Sequence, residues 1–226
     1  MDEIFKKFEQ IQIKNSNQKE EIHKIIENIE KINKSFQIIL SKAHFKNHDK
    51  NEIVQKSKEF IPELKQHYKS LFETIPKEYH HKFYDSWKFT CSSTFFNILF
   101  LGWIENERVY LFSEIADILG LEIPEKENDL GIDVHIYLLS LFKFCSELAR
   151  LCVNSVTAGN YEMPWKISLV VSEIYSRFKL LNTNNDVFGK KINSLKFDLK
   201  KIEEVVFDVH KLQTIQSLSQ KITKKD

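Results

Sequence analysis

A single carboxylate, Glu147, lies in a segment that otherwise has the pattern of a buried helix. Apolar residues recur there every three or four positions, the spacing of a helix that faces a core: Leu138, Leu141, Phe144, Cys145, Leu148, Leu151, Cys152 and Val156. Gly159 is a signal for the end of this helix, and Pro164 for the start of the next. A carboxylate in this setting is either a catalytic or metal-binding group, or one half of an ion pair with a nearby cation such as Arg150 or Lys166.

Cations alternate with aromatic residues in the segment YHHKFYDSWK, from Tyr79 to Lys88. This combination suits single-stranded nucleic acid, because lysines bind phosphates while aromatic rings stack on unpaired bases. The same pattern also describes the solvated face of an ordinary amphipathic helix. The segment is therefore a candidate nucleic-acid interface, with Lys82 and Lys88 as its candidate phosphate contacts.

Other motifs for chemistry are missing from the sequence. It contains no glycine-rich phosphate loop, no cysteine pair at metal-ligand spacing and no nucleophile elbow. His44 and His48 are four residues apart and would share one helix face, but no third ligand accompanies them. We therefore predict no metal site and no cofactor.

Helical periodicity extends along almost the whole chain and predicts the elements that position these residues. A first long helix follows Asn17, and its apolar heptad is Ile22, Ile25, Ile29, Ile32, Phe36 and Ile39. A second helix spans residues 53–75 and bends at Pro62. A third extends from about residue 78 to 104, a short one covers 113–120, and the Glu147 helix precedes a helix over 164–181. We expect one domain over residues 1–212 and a polar, frayed tail over 213–226.

The last predicted helix carries a second heptad. Its apolar positions are Ile192, Leu195, Leu199, Ile202, Val206 and Val209. Such a seam either packs inside a helical bundle or pairs with another subunit. The spacing by itself leaves both alternatives open.

Composition restricts the fold class and the kind of partner. With 42% hydrophobic residues but only 5 Gly and 4 Pro among 226 residues, the chain has a core but few turns, which predicts an all-α bundle of six or seven helices. The net charge of +1 means that any nucleic-acid affinity must come from local patches.

Three cysteines inside apolar runs indicate buried, reduced thiols. The N-terminus has no secretion signal and the apolar run over 95–104 is too short for a membrane span, so we expect no membrane partner.

Two segments resemble the signature segments of the translin family: SELARLCVNSVTAG over residues 146–159 and LKFDLKKIEEVVFDV over 195–209. The resemblance continues more weakly through KEYHHKFYDSWKF and covers residues 15 to 210. It implies an all-α bundle that assembles into a closed oligomeric shell, usually an octamer, which favours the last heptad as the oligomer interface. It also implies binding of single-stranded RNA and DNA through basic segments. The residues at those positions are Lys82, Tyr84, Ser86 and Lys88, with a second patch at Lys56 and Lys58; Tyr84 and Ser86 stand where histidines are common.

The resemblance further implies a partner, translin-associated factor X, in which acidic side chains on two helices hold a divalent metal for RNA cleavage. Here the equivalent positions are Ser93, Phe96 and Lys143, and Glu147 alone keeps its carboxylate. We therefore expect a non-catalytic subunit of an endoribonuclease complex that processes small RNAs, located in cytoplasm and nucleus. We expect Mg²⁺ to bind only in the mixed complex, or to this chain if it cleaves RNA itself.

Two alternatives remain: a weak Mg²⁺-dependent endoribonuclease that uses Glu147, and a helical adaptor without a nucleic-acid role. The physiological target, RNA or DNA, and its sequence preference are left open.

Overall fold

A computed structural model describes the backbone of residues 2–75, 80–124, 131–181 and 186–223, and side chains within 16–75, 82–124, 131–181 and 188–215. These ranges contain eight α-helices, one short 3₁₀ helix and no strand, so the all-α prediction is confirmed. The helices are α1 (Asp2–Ser41), the 3₁₀ helix (Lys42–His44), α2 (Lys50–Lys58), α3 (Phe60–Thr74), α4 (His80–Asn106), α5 (Phe112–Leu119), α6 (Val134–Ala158), α7 (Met163–Leu180) and α8 (Asp186–Thr223). In these ranges we find no helix with both the length and the apolar content that a membrane crossing needs.

The chain packs as two compact units. Unit 1 contains Met1–Ser41 and Asp49–Ser140, and unit 2 contains Lys42–His48 and Leu141–Asp226. The single domain expected over residues 1–212 stays a prediction. The expected boundary at residue 212 falls inside α8, because this helix continues to Thr223 and includes most of the tail that we expected to be frayed.

In unit 1, α1 packs against α3 and α4. Its buried face includes Ile22, Ile29 and Phe36 of the predicted heptad, but Ile26 and Leu40 are buried where Ile25 and Ile39 were expected. A straight helix has 3.6 residues per turn, so its buried face drifts from a strict seven-residue repeat. The helix also begins at Asp2, well before Asn17.

A proline explains why one predicted helix is two. The helix expected to bend at Pro62 instead ends as α2 at Lys58, and α3 begins at Phe60. Pro62 has no N–H to donate to the carbonyl of Lys58, and its ring would clash with that carbonyl. The break therefore lies about one turn before the proline, and Asp49 caps the start of α2 by accepting hydrogen bonds from two backbone N–H groups.

A buried polar network aligns α1, α3 and α4. Asn33 donates to the Thr94 hydroxyl at 2.9 Å and to the carbonyl of Thr90 at 3.2 Å, and Asn97 donates to the Asn33 amide oxygen at 3.1 Å. The Tyr68 hydroxyl lies 2.6 Å from the Thr94 hydroxyl. A misaligned packing would leave these groups unpaired in the core, so the network favours one register of α4 on its neighbours.

Unit 2 buries the second heptad within the chain itself. Leu195, Leu199, Ile202, Val206 and Val209 are each no more than 9% exposed, Ile192 is half-buried, and α8 packs along α7. These six residues were expected to form the oligomer interface, and this expectation needs correction, because side chains that fill the core of unit 2 present no surface to a second subunit. The seam packs inside the bundle, the other alternative that the heptad allowed.

Candidate functional site

One face of α4 combines a lysine, two serines and two aromatic rings. Its residues are spaced by four, three, four and three positions, which places them on one side of a helix: Lys82, Ser86, Phe89, Ser93 and Phe96. Lys82, Ser86 and Phe89 are exposed and the other two are half-buried. We call these five residues the α4 face. Tyr79 and the side chains of His80 and His81 lie outside the described residues.

Lys88 lies beside this face, with its ammonium group between two aromatic rings. Its Nζ atom is 5.3 Å from the ring centre of Tyr84 and 5.1 Å from that of Phe89, within the range of cation–π attraction. It also forms an ion pair with Asp85, one turn earlier. The lysine is therefore held in place next to Phe89.

Tyr84 has a structural partner. Its hydroxyl donates to a carboxylate oxygen of Asp133 at 2.5 Å, and its ring meets Trp87 edge to face. Burial, together with the Asp133 carboxylate, raises the pKa of the Tyr84 hydroxyl well above its ordinary value. Tyr84 was expected to contact nucleic acid, but its hydroxyl instead links α4 to the segment that precedes α6.

The second basic patch lies at the other end of α4. In α2, the Lys56 ammonium is 2.6 Å from a carboxylate oxygen of Glu52, and Lys58 makes the same contact, also at 2.6 Å, with Glu105. Glu105 is in the last turn of α4, roughly 35 Å along the helix from Lys82 at 1.5 Å per residue. The structure therefore does not bring the two predicted patches together.

The ion pairs of these lysines do not block phosphate binding. Lys56 and Lys58 have about half of their side-chain surface exposed, and exposed ion pairs contribute only about 0 to 1 kcal/mol. A phosphate can replace a carboxylate partner at small cost. The candidate phosphate contacts therefore remain chemically competent.

Glu147 forms a separate cluster in unit 2. Its Oε1 atom lies 2.7 Å from Nε2 of His44, a residue of the 3₁₀ helix that is only 3% exposed. The amide nitrogen of Asn154 lies 3.0 Å from Nδ1 of the same ring, and Arg150 approaches Glu147 at 3.3 Å. Because an ionised carboxylate can only accept, Nε2 of His44 donates its proton to Glu147, while Nδ1 faces the Asn154 amide group.

This environment keeps Glu147 ionised. The hydrogen bond with His44 lowers the pKa of its carboxyl below the ordinary value, with further help from the charges of His44 and Arg150, while burial opposes the shift. Sequence reasoning identified Arg150 but missed His44, which is 103 residues away in the chain. No spacing pattern connects two such distant segments.

The residues present do not fit a Mg²⁺ site. Ser93, Phe96 and Lys143 carry no carboxylate, and Glu147 is already bonded to His44 and Arg150. Among the residues that the structure describes, no three histidines, cysteines or carboxylates are grouped so that they could hold a metal. Mg²⁺ prefers several oxygen ligands in octahedral geometry, which one engaged carboxylate does not supply.

The cysteines are also unsuited to catalysis. Cys91, Cys145 and Cys152 are free and buried. Burial raises the pKa of the Cys152 thiol to about 11 and that of Cys145 further still. The thiols of Cys145 and Cys152 therefore stay protonated at neutral pH and are poor nucleophiles.

Comparison with known sequences identifies relatives along nearly the whole chain. The Translin family model matches residues 17–210. Translin of Bos taurus is 35% identical over 195 residues, which cover 84% of this chain and 84% of the relative. Translin-associated protein X of Rattus norvegicus is 33% identical over 72 residues, 31% of this chain and 25% of that protein.

Solved structures show the same fold. The structure of apo-NeC3PO aligns with a TM-score of 0.70 and 16% identity over 91% of this chain and 96% of that chain. The complex of AfC3PO with duplex RNA aligns with a TM-score of 0.65 and 14% identity over 93% of this chain and 98% of that one. With the family match over most of the sequence, we conclude that this chain belongs to the translin family.

Proposed function

We propose that this chain is a single-stranded RNA- and DNA-binding subunit of an oligomer, and that it does not itself carry out catalysis. The observation that carries the proposal is the α4 face with Lys88 beside it. Lys82 and Lys88 supply positive charge within two helical turns of each other, next to the exposed ring of Phe89. Phosphate-binding cations beside an exposed ring are the elements that single-strand binding requires.

The structural relatives support a nucleic-acid ligand. AfC3PO, which shares the fold, has been solved in complex with duplex RNA. In this chain the net charge is only +1, so binding depends on the placement of cations rather than on their number. The α4 face meets this requirement because its first turns combine Lys82 with the nearby Lys88.

The Glu147 cluster supports a non-catalytic role. The carboxylate is held by His44 and Arg150 and is therefore an ion-pair partner rather than a vacant metal ligand. We propose that RNA cleavage requires a second, acid-bearing subunit related to translin-associated protein X, to which this chain has local sequence similarity. Mg²⁺ would then be held by that partner.

Self-assembly requires a surface other than the buried heptad. The outward side of α8 carries Phe197, Phe207 and Ile215, which are 73%, 66% and 51% exposed. They share one helix face with Lys200 and Glu204, which form an ion pair. We propose that this α8 outer face contacts a second subunit in a closed, octameric shell. Its mixed apolar and charged character is typical of interfaces between subunits.

The proposed compartments are the cytoplasm and the nucleus. The three cysteines are buried as free thiols. Such thiols are maintained in reducing compartments, and RNA is available in both of these locations.

Charge reversal on α4 tests the function. Lys82→Glu combined with Lys88→Glu should weaken binding of a labelled single-stranded oligonucleotide at least tenfold. The slope of log affinity against log salt should fall by about 1.4, since each lost phosphate contact removes about 0.7 for a single strand. Fluorescence anisotropy over a salt series measures both quantities, and circular dichroism checks the fold.

A matched control keeps the total charge change equal. Lys24→Glu combined with Lys179→Glu removes one ion-paired lysine and one lysine that lies 5.8 Å from an aromatic ring, both outside the α4 face. This control should bind like the wild type. If the α4 variant also binds with unchanged affinity and slope, the interface lies elsewhere. If the wild type shows no salt-dependent binding, the chain is an adaptor.

A further inference from the structure

Phe89 remains exposed on a helix whose other aromatic residues are mostly packed. Its side chain is 58% exposed, whereas Trp87, Phe95 and Trp103 of the same helix are at most 2% exposed. The residues one turn before and after it on the α4 face are Ser86 and Ser93, whose short side chains do not cover a phenyl ring. The ring is therefore open to a ligand at the centre of this face.

The charges around the ring indicate what that ligand is. The Lys88 ammonium lies 5.1 Å from the ring centre, and exposed Lys82 lies two turns earlier on the same face. A purely apolar partner would have to remove water from these cations without compensation. A nucleotide matches both features, because its base is a flat aromatic surface and its phosphate is an anion. Charge complementarity thus favours a nucleic-acid strand as the occupant.

We infer that Phe89 stacks on an unpaired base and makes the site selective for single strands over duplexes. In a duplex both faces of each interior base are already stacked on neighbouring base pairs, so the ring has no open base face to contact. In a single strand a base can rotate onto the ring while Lys82 and Lys88 hold the adjoining phosphates. The inference rests on the proposed function, because it assigns strand selection to the same face.

Substitutions at Phe89 separate stacking from charge. Phe89→Leu keeps an apolar side chain of similar size but removes the aromatic ring, and Phe89→Trp enlarges the ring. Phe45→Leu is the matched control, since Phe45 is 65% exposed and belongs to unit 2, whereas the α4 face belongs to unit 1. Each protein is titrated with a labelled oligo(dT) strand, an abasic strand of the same length and a duplex.

We expect Phe89→Leu to lose affinity only for a probe that is single-stranded and also carries bases. Stacking on an aromatic residue changes affinity by about 5- to 150-fold per base, so Phe89→Leu should weaken oligo(dT) binding about tenfold. The same variant should bind the abasic strand and the duplex as the wild type does. Phe89→Trp should retain wild-type affinity for oligo(dT), with quenching of the added tryptophan fluorescence, and Phe45→Leu should match the wild type throughout.

Other outcomes overturn the inference in distinguishable ways. If Phe89→Leu binds oligo(dT) as tightly as the wild type, Phe89 makes no stacking contact, while the proposed function stands. An equal loss on the abasic strand or on the duplex would assign the effect to a displaced Lys88 or to folding instead. If the wild type binds none of the three probes, the proposed function itself fails and the inference fails with it.

Discussion

At the scale of single residues, Glu147 takes part in a set of polar contacts within unit 2. Its carboxylate accepts a hydrogen bond from His44, and the other nitrogen of that ring is within hydrogen-bond distance of Asn154. Together these contacts hold the segment over residues 42–48 onto the latter half of α6 within unit 2. Removing one partner would leave a largely buried polar group unpaired, which costs about 1 to 3 kcal/mol. The residue therefore contributes to stability whether or not it has another role.

The lowered pKa of Glu147 predicts a specific dependence of stability on pH. As pH falls below the ordinary carboxyl value of 4.5, the unfolded state takes up a proton before the folded state does. The free energy of unfolding therefore decreases as pH decreases toward the lower folded-state pKa. Glu147→Gln lacks this titration but keeps an oxygen acceptor for His44. The stability advantage of the wild type over Glu147→Gln should be full above pH 4.5 and shrink below it, as measured by urea denaturation at several pH values.

The control for this prediction is Glu173→Gln. Glu173 pairs with Arg177 on the surface of α7, where both side chains are more than half exposed. This variant should differ little from the wild type at any pH, because exposed pairs contribute at most about 1 kcal/mol. A wild-type advantage over Glu147→Gln that stays constant through the acid range would show that the His44 contact does not perturb the carboxyl.

Sequence reasoning at this scale identified the residues but not their partners. Glu147 was noticed because a carboxylate interrupts an apolar periodicity, yet His44 could not be paired with it. Similarly, Tyr84 was assigned to nucleic acid through the family resemblance, and the bond of its hydroxyl to Asp133 was not foreseen. Residue type and spacing report on one helix face, but contacts between segments distant in sequence depend on tertiary packing.

At the scale of helices, periodicity predicted most elements, but the interruption caused by Pro62 was predicted at the wrong position. Where a bend was expected at Pro62, the helix is interrupted three residues earlier, at Glu59, which keeps helical backbone angles. The first helix was expected to follow Asn17, yet α1 begins at Asp2. Apolar spacing cannot define such ends, because the solvated end of a helix needs no apolar face.

The two faces of α8 lead to a prediction about assembly. Phe197→Lys with Phe207→Lys changes only exposed side chains, so the fold should survive while the assembly breaks into smaller species. Leu199→Lys with Ile202→Lys places charges in the core of unit 2, where an uncompensated charge costs about 3 to 5 kcal/mol, so this variant should lose stability. Light scattering measures the mass, and thermal denaturation followed by circular dichroism measures the stability.

Comparing these two double variants distinguishes the roles of the two faces of α8. If the Phe197 and Phe207 variant keeps the wild-type mass, the α8 outer face is not the interface. If the Leu199 and Ile202 variant is as stable as the wild type but smaller, the heptad is an interface after all, as the family resemblance favoured. The spacing of apolar residues could not decide this question, since a heptad seam has the same appearance inside a bundle and between subunits.

At the scale of the whole molecule, the proposed function separates strand binding from catalysis. Unit 1 contains the α4 face with its cations and exposed ring, and unit 2 contains Glu147 in an ion-pair cluster. The described residues offer no cluster of metal ligands. Under the proposed function, this chain holds the strand and a second, acid-bearing subunit cleaves it.

This division predicts how the rate of RNA cleavage should respond to substitution of Glu147. The homomer should cut RNA slowly or not at all in Mg²⁺, because a single carboxylate already bonded to His44 and Arg150 holds the metal poorly. A mixed assembly with an acid-bearing partner should cut well, and Glu147→Gln should leave that rate within about twofold, since the catalytic oxygens belong to the partner. Single-turnover cleavage by homomer and mixed assembly, each with and without Glu147→Gln, measures these rates. Robust homomer cleavage that vanishes in Glu147→Gln, with mass and thermal stability unchanged, would instead make Glu147 a catalytic residue and this chain a nuclease in its own right.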